Sequence, residues 1–235
     1  MTTTPGSDAD EAEAAGAGLD TGYDATPYLP PRGGLPAHRK TVTDCRGCPL
    51  FGPATRAVFG DGPATARIVL VGEQPEDQGD RQVAPFVGPA GRLLRKAVEE
   101  TGLAGEPVYL INAVKHFRFV ERGKRRIHEA PSLRKETACQ PRLAAEMRLL
   151  RPEVVVALGA TAGRALFGTS FRVTKERGRP LHLPGYEKAR AVATLHPSSV
   201  LRSDDRRSAY AGLVADLRVA ADPPARTGAA RVSPT

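Results

Sequence analysis

Short apolar runs alternate with amphipathic stretches along the middle of the chain. Residues 67–71, Arg-Ile-Val-Leu-Val, are β-branched and apolar after the first position, and Gly72 stops them. Such a run reads as a strand buried on both faces. The turn Gly88-Pro89-Ala90-Gly91 then leads into a helical pattern over 92–98 that closes near Gly102. Residues 108–114, 154–158 and 189–195 read as three further strands. Among them lie a helix from Leu133 to Leu150 with Ser132 as its N-cap, one through 162–167, and a last one over about 205–219. This alternation predicts a three-layer α/β/α domain around a central, mainly parallel four-stranded sheet. Open sheets of this kind gather their sites at the carboxyl ends of the strands. Glu73, Asn112 and His196 fall there.

The flanks carry no such pattern. Residues 1–38 are rich in Gly, Ala, Asp, Thr and Pro, and 222–235 resemble them. Both read as disordered tails around a domain over 39–221. No internal repeat is visible.

Charge narrows the partner. The formal net charge is +8 and the sequence pI about 9.7, which fits a polyanionic partner or a solvated basic surface. Lys115, Arg118, Arg122, Lys124, Arg125 and Arg126 concentrate part of the excess beside His128. No apolar stretch approaches the ~20 residues of a membrane span. The N-terminus is polar and acidic with no signal-peptide core, so a cytoplasmic protein is expected. Three cysteines there do not imply a disulfide framework.

Cys45-Arg46-Gly47-Cys48 is a Cys-x-x-Cys pair, and Cys139 lies far downstream on the long helix. Two close thiolates chelate a soft metal. A redox pair is the rival, but it opens a helix in a βαβ context that is missing here. His116, just past the second strand, is the candidate fourth ligand, with a surface histidine as its alternative. By spacing alone, Cys45, Cys48, His116 and Cys139 suit zinc as well as a cluster.

Taken in order, seven segments form a set: Cys45-x-x-Cys48, Gly72-Glu73-Gln74-Pro75, the run Pro85-Phe86-Val87-Gly88-Pro89-Ala90-Gly91, Asn112-Ala113-Val114-Lys115, Lys124-Arg125-Arg126-Ile127-His128, Cys139 and His196-Pro197-Ser198. The set resembles the iron–sulfur (family 4) uracil-DNA glycosylases, and most closely their UdgX subgroup, over roughly residues 40–220. The resemblance implies a [4Fe-4S] cluster on Cys45, Cys48, Cys139 and His116, where the ordinary family pattern has a fourth cysteine. Zinc is the alternative. Glu76 departs from the glycine usual in the first motif of the subgroup.

The resemblance also implies roles. Uracil must leave the base stack to be cleaved. Phe86 would stack on it, Asn112 would read its O4 and N3–H, and Gln74 would fix the base. His196 would donate to O2 as negative charge grows there. Glu73, with Asp77 ranked below it, would stabilise the sugar cation or orient His128. In the subgroup the histidine of the Lys-Arg-Arg-Ile-His loop attacks C1′ and stays attached, so His128 is the expected nucleophile of a single-turnover reaction. Lys124, Arg125, Arg126, Ser198 and Arg202 would hold phosphates. The expected partner is uracil-containing DNA, single-stranded or, as an open alternative, double-stranded, bound by a monomer that is nucleoid-associated when on DNA. An ordinary glycosylase that uses water and a DNA-binding metal protein without chemistry are the competing readings.

Overall fold

The computed structural model describes residues 22–103 and 105–221. The strands are β1 (Ile68–Gly72), β2 (Val108–Asn112), β3 (Phe119–Arg122), β4 (Arg125–His128), β5 (Val154–Leu158), β6 (Pro180–Leu181) and β7 (Arg190–Thr194). The α-helices are α1 (Leu35–Val42), α2 (Asp77–Gln82), α3 (Pro89–Glu99), α4 (Leu133–Leu150), α5 (Gly159–Phe167), α6 (Val173–Glu176), α7 (Pro197–Arg202) and α8 (Arg206–Ala221).

The central sheet has the order β2-β1-β5-β7-β6. β2, β1, β5 and β7 run parallel, and β6 pairs antiparallel with β7 at the edge. β1 and β5 are buried along their whole length, as strands covered on both faces must be. Successive side chains point to opposite faces. Val69 and Val71 therefore join Leu143 and Met147 of α4 in one core, while Ile68 and Leu70 join Leu94 of α3 and Leu213 of α8 in the other. The result is the expected α/β/α sandwich. Burying a side chain such as Leu94 contributes about 1.5–3 kcal/mol. No helix of the described residues is long and apolar enough to cross a membrane.

Two features depart from the sequence reading. The fifth strand escaped it because β6 is two residues long and begins with Pro180. The basic segment 124–128, read as a loop, is mostly strand: β4 pairs antiparallel with β3 in register Phe119↔His128 to Arg122↔Arg125. Gly123 and Lys124 turn the hairpin, and Gly123 has φ +60°, the glycine-first arrangement of a type II′ turn. The hairpin was hidden because its alternation is carried by charged residues.

The boundary placed at residue 38 also moves. Residues 22–38 pack on α4: Ala25 N donates to Ala138 O at 2.9 Å, and buried Arg142 donates to the Tyr28 carbonyl and, at 3.0 Å, to Thr41 O. A buried guanidinium needs several acceptors. A polar segment without apolar periodicity supplies them through its backbone, which hydrophobic patterning cannot reveal. Residues 1–21 and 222–235, read as tails, lie outside the described residues.

Candidate active site

The sheet register brings the strand ends together. Gly72 pairs with Asn112 across β1 and β2, and Leu158 with Thr194 across β5 and β7. Glu73, Asn112, Gly159 and His196 thus emerge at one edge of the sheet. Gly159 has φ +90°, and a Cβ there would stand 3.0 Å from the His196 Cβ, so the β5 and β7 ends meet only through a glycine.

Glu73 is the hub. Its Oε1 lies 2.9 Å from His128 Nε2, and its Oε2 accepts a 2.7 Å hydrogen bond from Thr161 Oγ1. Burial alone would raise its carboxyl, but the hydrogen bonds from His128 and Thr161 outweigh it and hold the group below its ordinary value. The carboxylate is ionised and oriented. Thr161 is buried in the first turn of α5 and accepts from Arg164 Nη2 at 3.2 Å. Arg164 Nε in turn donates to buried Glu136 of α4 at 3.0 Å.

Sequence reading missed this chain, although Thr161 stands three residues past Leu158 and the strand-end logic applies to it equally. Thr161→Val keeps the shape of the side chain and removes both hydrogen bonds. A buried acceptor without its donor costs ~1–3 kcal/mol, so the melting temperature should fall by several degrees and, with Glu73 less firmly oriented, the single-turnover rate by about 10-fold or more. An unchanged single-turnover rate would show that Thr161 only fills space.

The nucleophile candidate sits on a hairpin that is fastened at two places. Gln74 is buried, and its Nε2 donates to Arg118 O at 3.2 Å and Glu129 O at 2.9 Å, while its Oε1 accepts from Arg118 N at 2.9 Å. It clamps the base of β3 and β4, which leaves neither amide proton for a base. Arg126, expected on phosphate, is instead 11% exposed. Its Nε lies 2.5 Å from Asp77 Oδ1 and its Nη1 2.7 Å from Asp80 Oδ2, and its guanidinium lies 4.8 Å from the Phe119 ring centre. Asp77, expected beside the sugar, is thereby committed to Arg126 and Arg81.

The basic patch shrinks accordingly. Lys115 is fully buried against Glu146 at 2.6 Å, and Arg118 pairs with Glu129 at 2.8 Å. Arg122, Lys124 and Arg125 stay exposed. A charge run in sequence does not distinguish cations that face water from cations that bind the protein itself.

Phe86 and Asn112 close on Gly72 at the end of β1. A Cβ there would stand 2.4 Å from the Phe86 ring and 2.6 Å from Asn112 Oδ1. Phe86 holds a left-handed backbone with φ +56°, and its carbonyl packs so closely on Gly91 that a Cβ would come within 1.6 Å. The Pro/Gly-rich loop therefore fixes the ring, which is 8% exposed and packs in the cluster of Ile68, Leu70 and Leu94. Phe86 and His196 stack with ring centres 6.2 Å apart. Asn112 is 3% exposed, and its Nδ2 has no partner among the described residues. A buried donor left open marks a place for an acceptor.

His196 serves two ends at once. Its Nδ1 accepts from Ser198 N at 3.2 Å, which caps α7, and lies 2.7 Å from Ser198 Oγ. A backbone N–H can only donate, so Nδ1 is unprotonated and the neutral ring carries its proton on Nε2. Burial lowers the ring to about 4 despite the opposing pull of Glu73. His196 is thus a neutral Nε2–H donor at pH 7. Ser198, expected on phosphate, has its hydroxyl on His196. Arg202 is exposed at the end of α7.

Glu76 lies against Gly88, where a Cβ would stand 2.4 Å from its Oε2. Burial raises its carboxyl against the pull of His128, Arg202 and Arg92. It leaves the contact between Glu73 and His128 intact.

Cys45, Cys48 and Cys139 are buried free thiols, and Cys48 and Cys139 share an apolar cluster with Leu50 and Val114. Cys139 Sγ accepts from Lys115 N at 3.3 Å. A Cβ on Gly47 would stand 2.6 Å from Asp24 O, so the Cys-x-x-Cys loop is roofed by the N-terminal segment. Burial pushes Cys139 up to about 12, so a thiolate there needs a bound cation to offset it. His116 is buried with Asp80 and Arg142 as its charged neighbours, and burial lowers it to about 4, leaving it neutral. Among the described residues no three His, Cys, Asp or Glu side chains close on a single metal ion.

Comparison with known proteins gives the family. Residues 59–218 match the family model of the uracil DNA glycosylase superfamily. A type-4 uracil-DNA glycosylase of Thermotoga maritima is 37% identical over 163 residues, covering 69% of this chain and 80% of the relative. Those of Sulfurisphaera tokodaii (32% identical, 72% of this chain and 76% of the relative) and Archaeoglobus fulgidus (30%, 73% and 85%) are similar too. With the family model matched over more than half of its length, the chain belongs to the uracil-DNA glycosylase superfamily.

Proposed function

We propose that the chain excises uracil from DNA and becomes covalently linked, through His128, to C1′ of the abasic sugar. The observation that carries this reading is the 2.9 Å contact between His128 Nε2 and Glu73 Oε1. An ionised carboxylate holding one ring nitrogen leaves the lone pair of the other for attack, the arrangement of an activated nucleophile.

The steps balance within these residues. The flipped base stacks on Phe86, and its O4 accepts from the open Asn112 Nδ2. The C1′–N1 bond breaks with its electron pair going to uracil, and His196 Nε2–H donates to O2 as charge collects there. A donor aimed at developing charge is worth ~2.7–4 kcal/mol. Glu73 stabilises the cationic sugar, an imidazole nitrogen of His128 bonds to C1′, and the imidazole proton passes to the Glu73 carboxylate. The product is a neutral N-alkyl imidazole with no good leaving group, so turnover stops. Gln74, Arg126, Asp77 and Asp80 act as positioning residues by holding the hairpin. Lys124, Arg125 and Arg202 are left to meet phosphates.

Cys45, Cys48 and Cys139, with His116, would hold a [4Fe-4S] cluster. When bound it would tie the Cys-x-x-Cys loop to α4 and to the segment after β2, and no step of the reaction runs through it.

The test is a denaturing gel after heating in SDS, with a uracil-containing strand and a thymine control. A uracil-dependent, heat-resistant shifted band is expected at one DNA per chain. Strand breakage by alkali without a shifted band would instead support water as the nucleophile.

A further inference from the structure

Where α3, α7 and α8 meet they leave a groove of about 410 Å³ lined by Arg92, Lys96, Arg206 and Arg207. All four side chains are exposed, and among the described residues none of them makes an ion pair. Lys96 Nζ lies 5.4 Å from the Tyr210 ring centre, and the Tyr210 hydroxyl donates to Glu100 Oε1 at 3.0 Å. The nearby carboxylate of Asp205 is engaged by Ser208 N at 3.0 Å.

The groove adjoins the site. His196 caps α7, which ends at Arg202, whose charge acts on both Glu76 and His196, and Arg92 acts on Glu76 as well. A helix of this length spans ~9 Å. Arg202 and Arg92 thus stand between the strand-end site and the groove, with Glu76 beside them.

Local stability does not account for this placement. Arg206 and Arg207 open α8, whose first turn holds no acidic residue. Cations at a helix N-terminus oppose the helix dipole. Unpaired like charges around one groove also repel, which favours an anion lying between them.

We propose that this groove carries the DNA strand beyond the flipped nucleotide, with its phosphates on Arg92, Lys96, Arg206 and Arg207. The inference rests on the uracil-excision reading for its substrate, and it extends the DNA path past every residue assigned above.

The experiment compares the wild-type chain with Arg206→Gln/Arg207→Gln and, on a separate helix, Lys96→Gln. Affinity is measured against salt on strands of about 25 and about five nucleotides that carry a cleavage-resistant 2′-fluoro uridine, and capture on the same strands with a central uracil. Each lost phosphate contact lowers the slope of log K against log salt by ~0.7 on single strands. The double variant should therefore lose ~1.4 and Lys96→Gln ~0.7 on the long strand, with affinity near 0.1 M salt falling on the order of ten-fold for the double variant. The short strand should bind and be captured as by wild type. Unchanged slopes, or equal losses on both lengths, would overturn the groove. A wild-type chain that binds the long strand with full slope yet excises no uracil would defeat the glycosylase reading and leave the groove standing.

Discussion

His128→Ser should abolish the heat-resistant DNA adduct, lowering it by more than about a hundred-fold, and should allow free uracil to exceed the enzyme concentration. Serine has no ring nitrogen to attack C1′, and its short side chain leaves space in front of Glu73. Glu73 remains held by Thr161 Oγ1 at 2.7 Å, so an ionised carboxylate is still available to stabilise the sugar and orient water. Phe86, Asn112 and His196 are untouched, so the base can still be bound and expelled. The hairpin survives because its anchors are Gln74 and Arg126 rather than His128, whose side chain is 45% exposed. The variant should therefore melt like wild type. An adduct that persists would place the nucleophile elsewhere; loss of both adduct and uracil release would mean that His128 is needed for bond cleavage itself.

This outcome depends on parts of the site that differ in how openly the sequence displays them. Glu73, Asn112 and His196 were readable because each follows an apolar run, and the parallel sheet places such positions together whatever the intervening chain does. Phe86 was readable through its Pro/Gly surroundings, which the structure turns into a left-handed backbone at φ +56°. The four main strands and the long helix α4 follow from periodicity alone.

Arg126, Gln74 and Asp77 bind partners within the protein that their sequence positions do not announce, for one physical reason. Residue type states what a side chain can bind, while its partner is set by tertiary placement. Asp77 and Asp80 stand one turn apart on α2, and only the fold brings that turn beneath Arg126 of β4. Arg142 shows the same effect at the N-terminal segment, where a buried cation organises residues that pattern alone marks as a tail. The Lys124–Arg126 charge run thus splits between outward cations and an internal anchor, and the anchor is what makes a strand of the supposed loop.

Glu146→Ala should destabilise the chain by about 3–5 kcal/mol, read as a lower urea midpoint at unchanged slope. Lys115 Nζ and Glu146 Oε1 lie 2.6 Å apart with side chains 0% and 1% exposed. Removing the carboxylate leaves an ammonium without its counter-charge, and it also strips Gly60 N of a 3.1 Å acceptor. A midpoint near that of wild type would show that water reaches Lys115. The pair also bears on the site, because Lys115 Nζ donates to Asn112 O at 2.9 Å and so fixes the end of β2. Replacing both partners with apolar residues, as in Lys115→Met/Glu146→Leu, should recover much of the stability, since a well-packed apolar pair is often neutral or better than a buried ion pair. It should not recover uracil excision to the same degree, because the Asn112 carbonyl still lacks its donor. If stability and excision return together, the ion pair serves the fold alone; if stability returns without excision, Lys115 holds the uracil-reading amide in register.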